Sequence, residues 1–260
     1  MKKFVALLLA VLMVASLCAC GQKDTGSDLQ TVTKGKLTMS TNAQFPPYES
    51  VADDGKGYEG TGFEGIDIEI AYALAQKLGL ELVVDDMDFD SALSAVQTGK
   101  SDIVAAGVTV TPDRLNSMSF TDSYANGVQV VIVKEGSDIK SIDDLDGKKI
   151  GTQRGTTGFI YCCDDYGDDN VIGFDDGATA VQNLLAGKVD CVVIDNVPAQ
   201  EYVKANAGLT ILDTEYANED YAIGIAKDNT ALQEALNKAL AELKADGTIQ
   251  SIIDKYIPAK

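Results

Sequence analysis

Ser91-Ala-Leu-Ser-Ala-Val-Gln-Thr-Gly-Lys-Ser-Asp-Ile-Val-Ala105 is answered 88 residues later by Thr179-Ala-Val-Gln-Asn-Leu-Leu-Ala-Gly-Lys-Val-Asp-Cys-Val-Val193. Each stretch carries apolar residues at helical spacing, reaches a Gly-Lys pair, and restarts with an aspartate and three apolar residues. That pattern predicts a helix, a tight turn at the glycine and a buried strand. Its occurrence twice predicts two lobes of similar construction. Beyond each strand the chain turns polar, with Thr109-Val-Thr-Pro-Asp-Arg114 after the first and Asp195-Asn196 after the second. Open α/β sheets bind ligands at that edge of their strands.

The 260 residues suffice for two domains of about 100 residues, each with its own core. Asp and Glu number 40 against 21 Lys and Arg, a formal net charge of −19. Such a surface repels phosphate backbones, so no nucleic-acid partner is expected. There is no histidine and no Cys-x-x-Cys, which removes the usual zinc sites and histidine-dependent catalysis. Gly151-Thr-Gln-Arg-Gly-Thr-Thr-Gly158 matches neither nucleotide-binding glycine pattern. Asp164, Asp165, Asp168 and Asp169 miss the EF-hand spacing, so no metal is expected. The one Ser-x-x-Lys, Ser137-Asp-Ile-Lys140, lacks the companion motifs of a penicillin-binding enzyme. No cofactor is expected.

Lys2-Lys3, an apolar run from Phe4 to Leu17 and Cys18-Ala19-Cys20-Gly21 have the layout of a signal peptide. The run is short for a membrane-spanning helix. Its end resembles a bacterial lipoprotein box with cleavage before Cys20 and acylation of the Cys20 thiol. Residues 1–19 are therefore expected to be a lipoprotein signal peptide and 20–35 a flexible tether. Cleavage would leave Cys162, Cys163 and Cys191 beyond the anchor, an odd number, with Cys191 in a predicted core strand.

Residues 36–41 read as the first strand, leading into a proline-stiffened loop that holds Phe45 and Tyr48. Val51 to Gly62 reads as a hairpin or surface excursion, 66–78 as a helix stopped near Gly79, and 80–84 as a strand. Asp90 or Ser91 is placed to cap the helix of the first motif copy. Thr111-Pro112-Asp113 starts a further helix beside Arg114. Residues 128–133 and 221–225 read as segments crossing between lobes, and 137–148 as holding a short helix over Ile142 and Leu145. Leu232, Leu236, Leu240 and Leu243 form the apolar stripe of a C-terminal helix, and 249–256 a second.

Arg114 offers a planar fork of donors beside a helix start, a combination suited to a carboxylate. The hydroxyls and N–H groups around Thr156 and Thr157 can grip such a group from the other side. Asp195, at a strand end, can neutralise an ammonium or cap the next helix. Phe45, Tyr48 and Phe89 can enclose a side chain. One arginine, one carboxylate and flanking aromatics from two lobes would recognise a zwitterion, with no activated nucleophile among them.

In sum the chain resembles the bacterial extracellular solute-binding proteins of family 3, the polar amino-acid receptors of ABC importers. The likeness rests on Thr41-Asn-Ala-Gln-Phe-Pro-Pro-Tyr48, Gly65-Ile-Asp-Ile-Glu-Ile70, Asp88-Phe-Asp90, Thr109-Val-Thr-Pro-Asp-Arg114, Phe120-Thr121, Gly147-Lys-Lys-Ile-Gly151 and Gly187-Lys-Val-Asp190. It implies an α/β fold of the type II periplasmic-binding-protein kind, with two lobes of mixed five-stranded sheets flanked by helices. Residues 36–125 and 219–260 would form one lobe and 126–218 the other. The resemblance implies that Phe45 and Phe89 stack on the ligand and that Arg114 binds its α-carboxylate, assisted by Gly107, Thr109, Thr156 and Thr157. Asp195 would bind the α-ammonium, and Asn42 and Gln44 would face a neutral polar side chain. Relatives that prefer cationic amino acids often carry an acid at the position of Asn42, so the resemblance does not imply that preference. The expected partners are a free L-amino acid, a permease and, through Cys20, membrane lipid. The expected protein is a monomer anchored on the outer face of a bacterial membrane. A sensory module and a dehydratase-like enzyme on the related fold are the alternatives.

Overall fold

The structure, a computed structural model, describes residues 29–258. The expected signal peptide, Cys20 and residues 20–28 of the tether lie outside the described residues. In chain order the elements are β1 (Lys36–Thr41), β2 (Gln44–Phe45), β3 (Glu49–Val51), β4 (Phe63–Glu64), α1 (Ile66–Leu78), β5 (Glu81–Asp86), α2 (Phe89–Gln97) and β6 (Ile103–Val104). Next come α3 (Pro112–Ser117), β7 (Met118–Phe120), β8 (Ala125–Lys134), β9 (Ile150–Gln153), α4 (Thr157–Tyr166), β10 (Val171–Phe174) and α5 (Gly177–Leu185). The chain closes with β11 (Cys191–Asp195), α6 (Asn196–Ala205), β12 (Leu209–Ile211), β13 (Ala217–Tyr221), β14 (Gly224–Ala226), α7 (Thr230–Ala245) and α8 (Thr248–Tyr256).

Two mixed sheets carry the lobes. The first has the order β5-β1-β6-β14-β7, five strands as expected; the second runs β10-β9-β11-β8-β12. The second gains a sixth strand, because β13 stays paired with β8 from Ala217↔Gln129 to Tyr221↔Ala125 on its way back. These two antiparallel segments are the crossings between lobes. The return expected over 221–225 divides into the end of β13 and, after Ala222 and Ile223, β14 of the first sheet. The excursion after Val51 closes into a small sheet of β2, β3 and β4.

Both motif copies fold alike. After α2 the chain turns at Gly99 (φ 71) and after α5 at Gly187 (φ 72), backbone conformations that glycine adopts without strain. The Asp102 N–H donates to the Thr38 carbonyl at 2.8 Å while its Oδ2 accepts from the Thr38 N–H at 2.7 Å. Asp190 does the same with Lys149, at 2.7 and 2.8 Å. Each motif aspartate thus ties the foot of its own strand to the foot of the neighbouring one.

Two local expectations change. The helix of the first copy begins at Phe89, with Asp88 rather than Asp90 or Ser91 at the N-cap position. The short helix expected over Ile142 and Leu145 is there, but as a single 3-10 turn, Ile142–Asp144, closed by a capping box between Ser141 and Asp144. Only Ile139, Ile142 and Leu145 supply its apolar face before Gly147 turns at φ 69, too little to propagate a helix.

Helix α7 buries Leu232, Leu236, Leu240 and Leu243 against α1 and α8, each contributing about 1.5–3 kcal/mol of burial free energy. The last stretch of the expected tether is docked rather than free. Leu29 packs on the core, the Val32 N–H donates to Asp102 Oδ1 at 2.7 Å, and Asn229 donates to the Gln30 carbonyl at 3.1 Å. Cys162 and Cys191 are buried free thiols of the second lobe; burial first of all pushes Cys191 up to about 12. Among the described residues no helix is long and apolar enough to cross a membrane, and no cluster of metal-ligating side chains occurs.

Candidate functional site

The strand ends and helix starts of both lobes converge on one cleft. Asn42, Phe45, Phe89, Gly107, Thr109 and Arg114 line it from the first lobe, and Thr156, Thr157 and Asp195 from the second. Glu49, Ala106 and Gln153 complete the wall. The lobes are closed on each other. Gln153 Nε2 donates to Asn42 Oδ1 at 2.9 Å, Arg114 Nη2 to the Gly155 carbonyl at 3.2 Å, and the Thr109 and Thr157 hydroxyls lie 3.5 Å apart.

Arg114 is placed by the local signal read from the sequence. Pro112 opens α3 and the Thr111 hydroxyl accepts from the Arg114 N–H. The guanidinium donates to the Thr109 carbonyl at 2.9 Å and lies 5.4 Å from the centre of the Phe89 ring. These contacts hold it in one orientation while three of its five N–H donors remain for a ligand. Burial pushes its pKa down; Glu219, Tyr161, Asp90 and Asp195 oppose that shift.

Asp195 occupies the N-cap position of α6 but makes no side-chain capping bond. Its carboxylate turns instead to the crossing strands. Gln129 of β8 donates to Oδ2 at 2.9 Å and Tyr221 of β13 donates to Oδ1. Gln129 Nε2 also reaches Glu219 Oε2 at 2.9 Å. Burial, then the neighbouring Glu219, holds the Asp195 carboxyl well above the ordinary carboxylate range. A cation brought beside it would restore its ionised form.

Phe45 and Phe89 line the cleft, whereas Tyr48 stands behind Phe45, stacked at 5.7 Å, and braces it against Tyr221. Phe89 is the first residue of α2 rather than a turn aromatic. Gly107 has φ 53, and a β-carbon there would come within 2.9 Å of the Phe45 ring. Its N–H donates to Asp67 Oδ2 at 2.8 Å, so that donor is not offered to a carboxylate. The Thr156 hydroxyl is likewise engaged, donating to the Gln153 carbonyl and capping α4 through the Phe159 N–H. What α4 offers the cleft is the pair of N–H groups at Thr157 and Gly158, which have no partner within the helix. Gln44 is exposed and outside the cleft.

Glu49 and Gln153 escape a reading of the sequence. Gln153 ends β9, at the strand edge where open α/β sheets bind ligands, which was a usable signal. Glu49 follows a proline-rich loop in a three-residue strand, and its burial comes from long-range packing that includes α1.

Residues 37–259 match the family described as "Bacterial extracellular solute-binding proteins, family 3". The chain is 33% identical to the arginine-binding extracellular protein ArtP of Bacillus subtilis (strain 168), over 98% of each chain. It is 35% identical to ABC transporter arginine-binding protein 1 of Escherichia coli (strain K12), over 86% of this chain and 91% of that one. Among solved structures, an ancestral arginine-binding protein bound to glutamine superposes with a TM-score of 0.81 at 40% identity, covering 87% of this chain and all of its own.

Proposed function

The chain belongs to the bacterial extracellular solute-binding proteins of family 3, and from that premise we propose that it captures a free L-amino acid between its lobes and delivers it to the permease of an ABC importer. One observation carries the reading: a buried guanidinium of the first lobe and a buried carboxylate of the second line the same closed cleft. Arg114 binds the α-carboxylate, with the N–H groups at the start of α4 on its other side. Asp195 takes the α-ammonium, and Phe45 and Phe89 enclose the side chain. In surroundings poor in water such charge-assisted bonds are at their strongest. Binding favours the closed arrangement because the two grips come from different lobes, and a shift of that hinge equilibrium is the signal to the permease. No bond is made or broken.

Relatives named for arginine, and one crystallised with glutamine, support an amino-acid ligand. Residues 1–19 act as a lipoprotein signal and Cys20 carries the lipid, so that a monomer is held at the outer face of the membrane. Replacing Cys20 by alanine is expected to move the protein from the membrane fraction to the soluble one.

Calorimetry with the twenty amino acids tests the central reading, on protein unfolded and refolded to strip any carried-over ligand. Binding in the micromolar range or tighter is expected for at least one; affinities no better than about 1 mM, or roughly −4 kcal/mol, would remove it.

A further inference from the structure

A zwitterion leaves one charged group of this cleft unmatched. Glu49, the first residue of β3, is fully buried and lines the wall, and no group among the described residues donates to either of its side-chain oxygens. A buried carboxylate without a partner is costly. The charged groups that act on it are acids from three elements, Asp67 of α1, Asp195 of β11 and Asp86 at the end of β5. The phenols of Tyr48, Tyr124 and Tyr202 feel the same charge. Asp67 is buried as well, its Oδ2 accepting from the Gly107 N–H and the Tyr124 hydroxyl, both at 2.8 Å, and its Oδ1 from nothing. Two such acids can bond only by sharing a proton. Burial, then Asp67, holds Glu49 well above the ordinary carboxylate range, and burial pushes Asp67 up to about 6.

The charges on the cleft wall are Arg114 against Asp195 and Glu49. An amino acid's own carboxylate and ammonium satisfy the first two. We propose that Glu49 selects the ligand's side chain and that this side chain is cationic, a guanidinium or ammonium that supplies the donors its two buried oxygens lack. The proposal rests on the amino-acid reading of the cleft. It moves the selecting acid away from Asn42, whose amide is already engaged by Gln153 and by the Met87 carbonyl at 3.0 Å. Phe45 supplies a flat apolar wall for the aliphatic stem or a guanidinium plane. On binding, the proton leaves Glu49 for solvent and the ligand's N–H groups donate to the carboxylate.

The test is calorimetry of the stripped chain with L-arginine, L-lysine and L-glutamine near pH 7, in phosphate and in Tris, whose different ionisation enthalpies reveal protons released. Arginine or lysine is expected to bind on the order of 100-fold more tightly than glutamine and to release up to about one proton more than glutamine does, since the ligand's ammonium acts on Asp195 in either case. Glu49→Gln should weaken arginine and lysine far more than glutamine and so erase both differences, and Glu49→Asp should keep the cation preference; thermal unfolding checks that both variants fold. Glutamine binding as tightly as arginine, or Glu49→Gln weakening both alike, overturns the proposal. If neutral amino acids bind and cationic ones do not, this inference alone fails; if none binds, the amino-acid reading itself fails.

Discussion

Asp102 and Asp190 hold the same place in the two lobes, each clasping both the N–H and the carbonyl of one residue on the neighbouring strand. Above that shared base the lobes diverge. In the first, the chain runs on beyond β6 through Ala106 and Gly107 to a short helix that presents Arg114; in the second, the strand itself ends in Asp195. The grips also differ in support. Among the described residues Arg114 is the sole cation on the cleft wall, whereas Asp195 shares the amide of Gln129 with a second acid, Glu219. A common scaffold therefore presents opposite charges across one cleft, with a reserve of negative charge on one side only.

Removing each grip in turn tests that asymmetry. Arg114→Ala would bury the ligand's carboxylate without a cation, and a loss on the order of 1,000-fold is expected for every amino acid that binds. Asp195→Asn should cost less, on the order of 100-fold, because Glu219 still supplies negative charge nearby. Calorimetry of both variants decides the matter, and equal losses would show that Glu219 does not act as a reserve.

Closure itself distinguishes the lobes next. Gly155 of the second lobe has φ 75, and a β-carbon there would lie 1.7 Å from Asp90 Oδ1 of the first. The same residue's carbonyl accepts from Arg114. Gly155→Ala is therefore expected to strain a turn and to force Asp90 aside only when the lobes close, weakening binding about tenfold. Adding Asp90→Ala should recover part of that loss. Small-angle scattering should find the Gly155→Ala protein more open at a ligand concentration that closes the wild type; an unchanged profile and affinity would show that closure does not need this close approach.

Local signals were legible wherever they act locally. The helix Ile66–Leu78 ends where Gly79 takes φ 69, and the Thr111-Pro112 start places Arg114, both readable from spacing and residue type. Within 137–148 the short helix falls where Ile142 and Leu145 place it, and it stays a single 3-10 turn because the apolar residues extend for too few turns. Asp88 displaces Asp90 and Ser91 at a helix start because all three types can cap, and tertiary position chooses among them. Glu49 was invisible for a different reason. Its character comes from Asp67, Asp86 and Asp195, brought to it by long-range packing, and nothing within a few residues announces that a glutamate here has no donor.

The smallest expected effect concerns the shared base. Both Asp102 oxygens are used, Oδ2 by the Thr38 N–H and Oδ1 by the Val32 N–H. At Asp190 only Oδ2 accepts, from the Lys149 N–H. Asparagine keeps a single acceptor oxygen. At 190 that oxygen can turn to Lys149, so Asp190→Asn should leave stability within about 0.5 kcal/mol. At 102 one backbone N–H must face the amide nitrogen, and Asp102→Asn should cost about 1–3 kcal/mol. The two variants, compared by denaturant unfolding, separate a scaffold duplicated in shape from one duplicated in function. If they cost the same, the N-terminal segment that donates from Val32 contributes nothing to the first lobe. If Asp102→Asn costs more, deleting residues 29–33 should remove the excess, because the second donor is then gone.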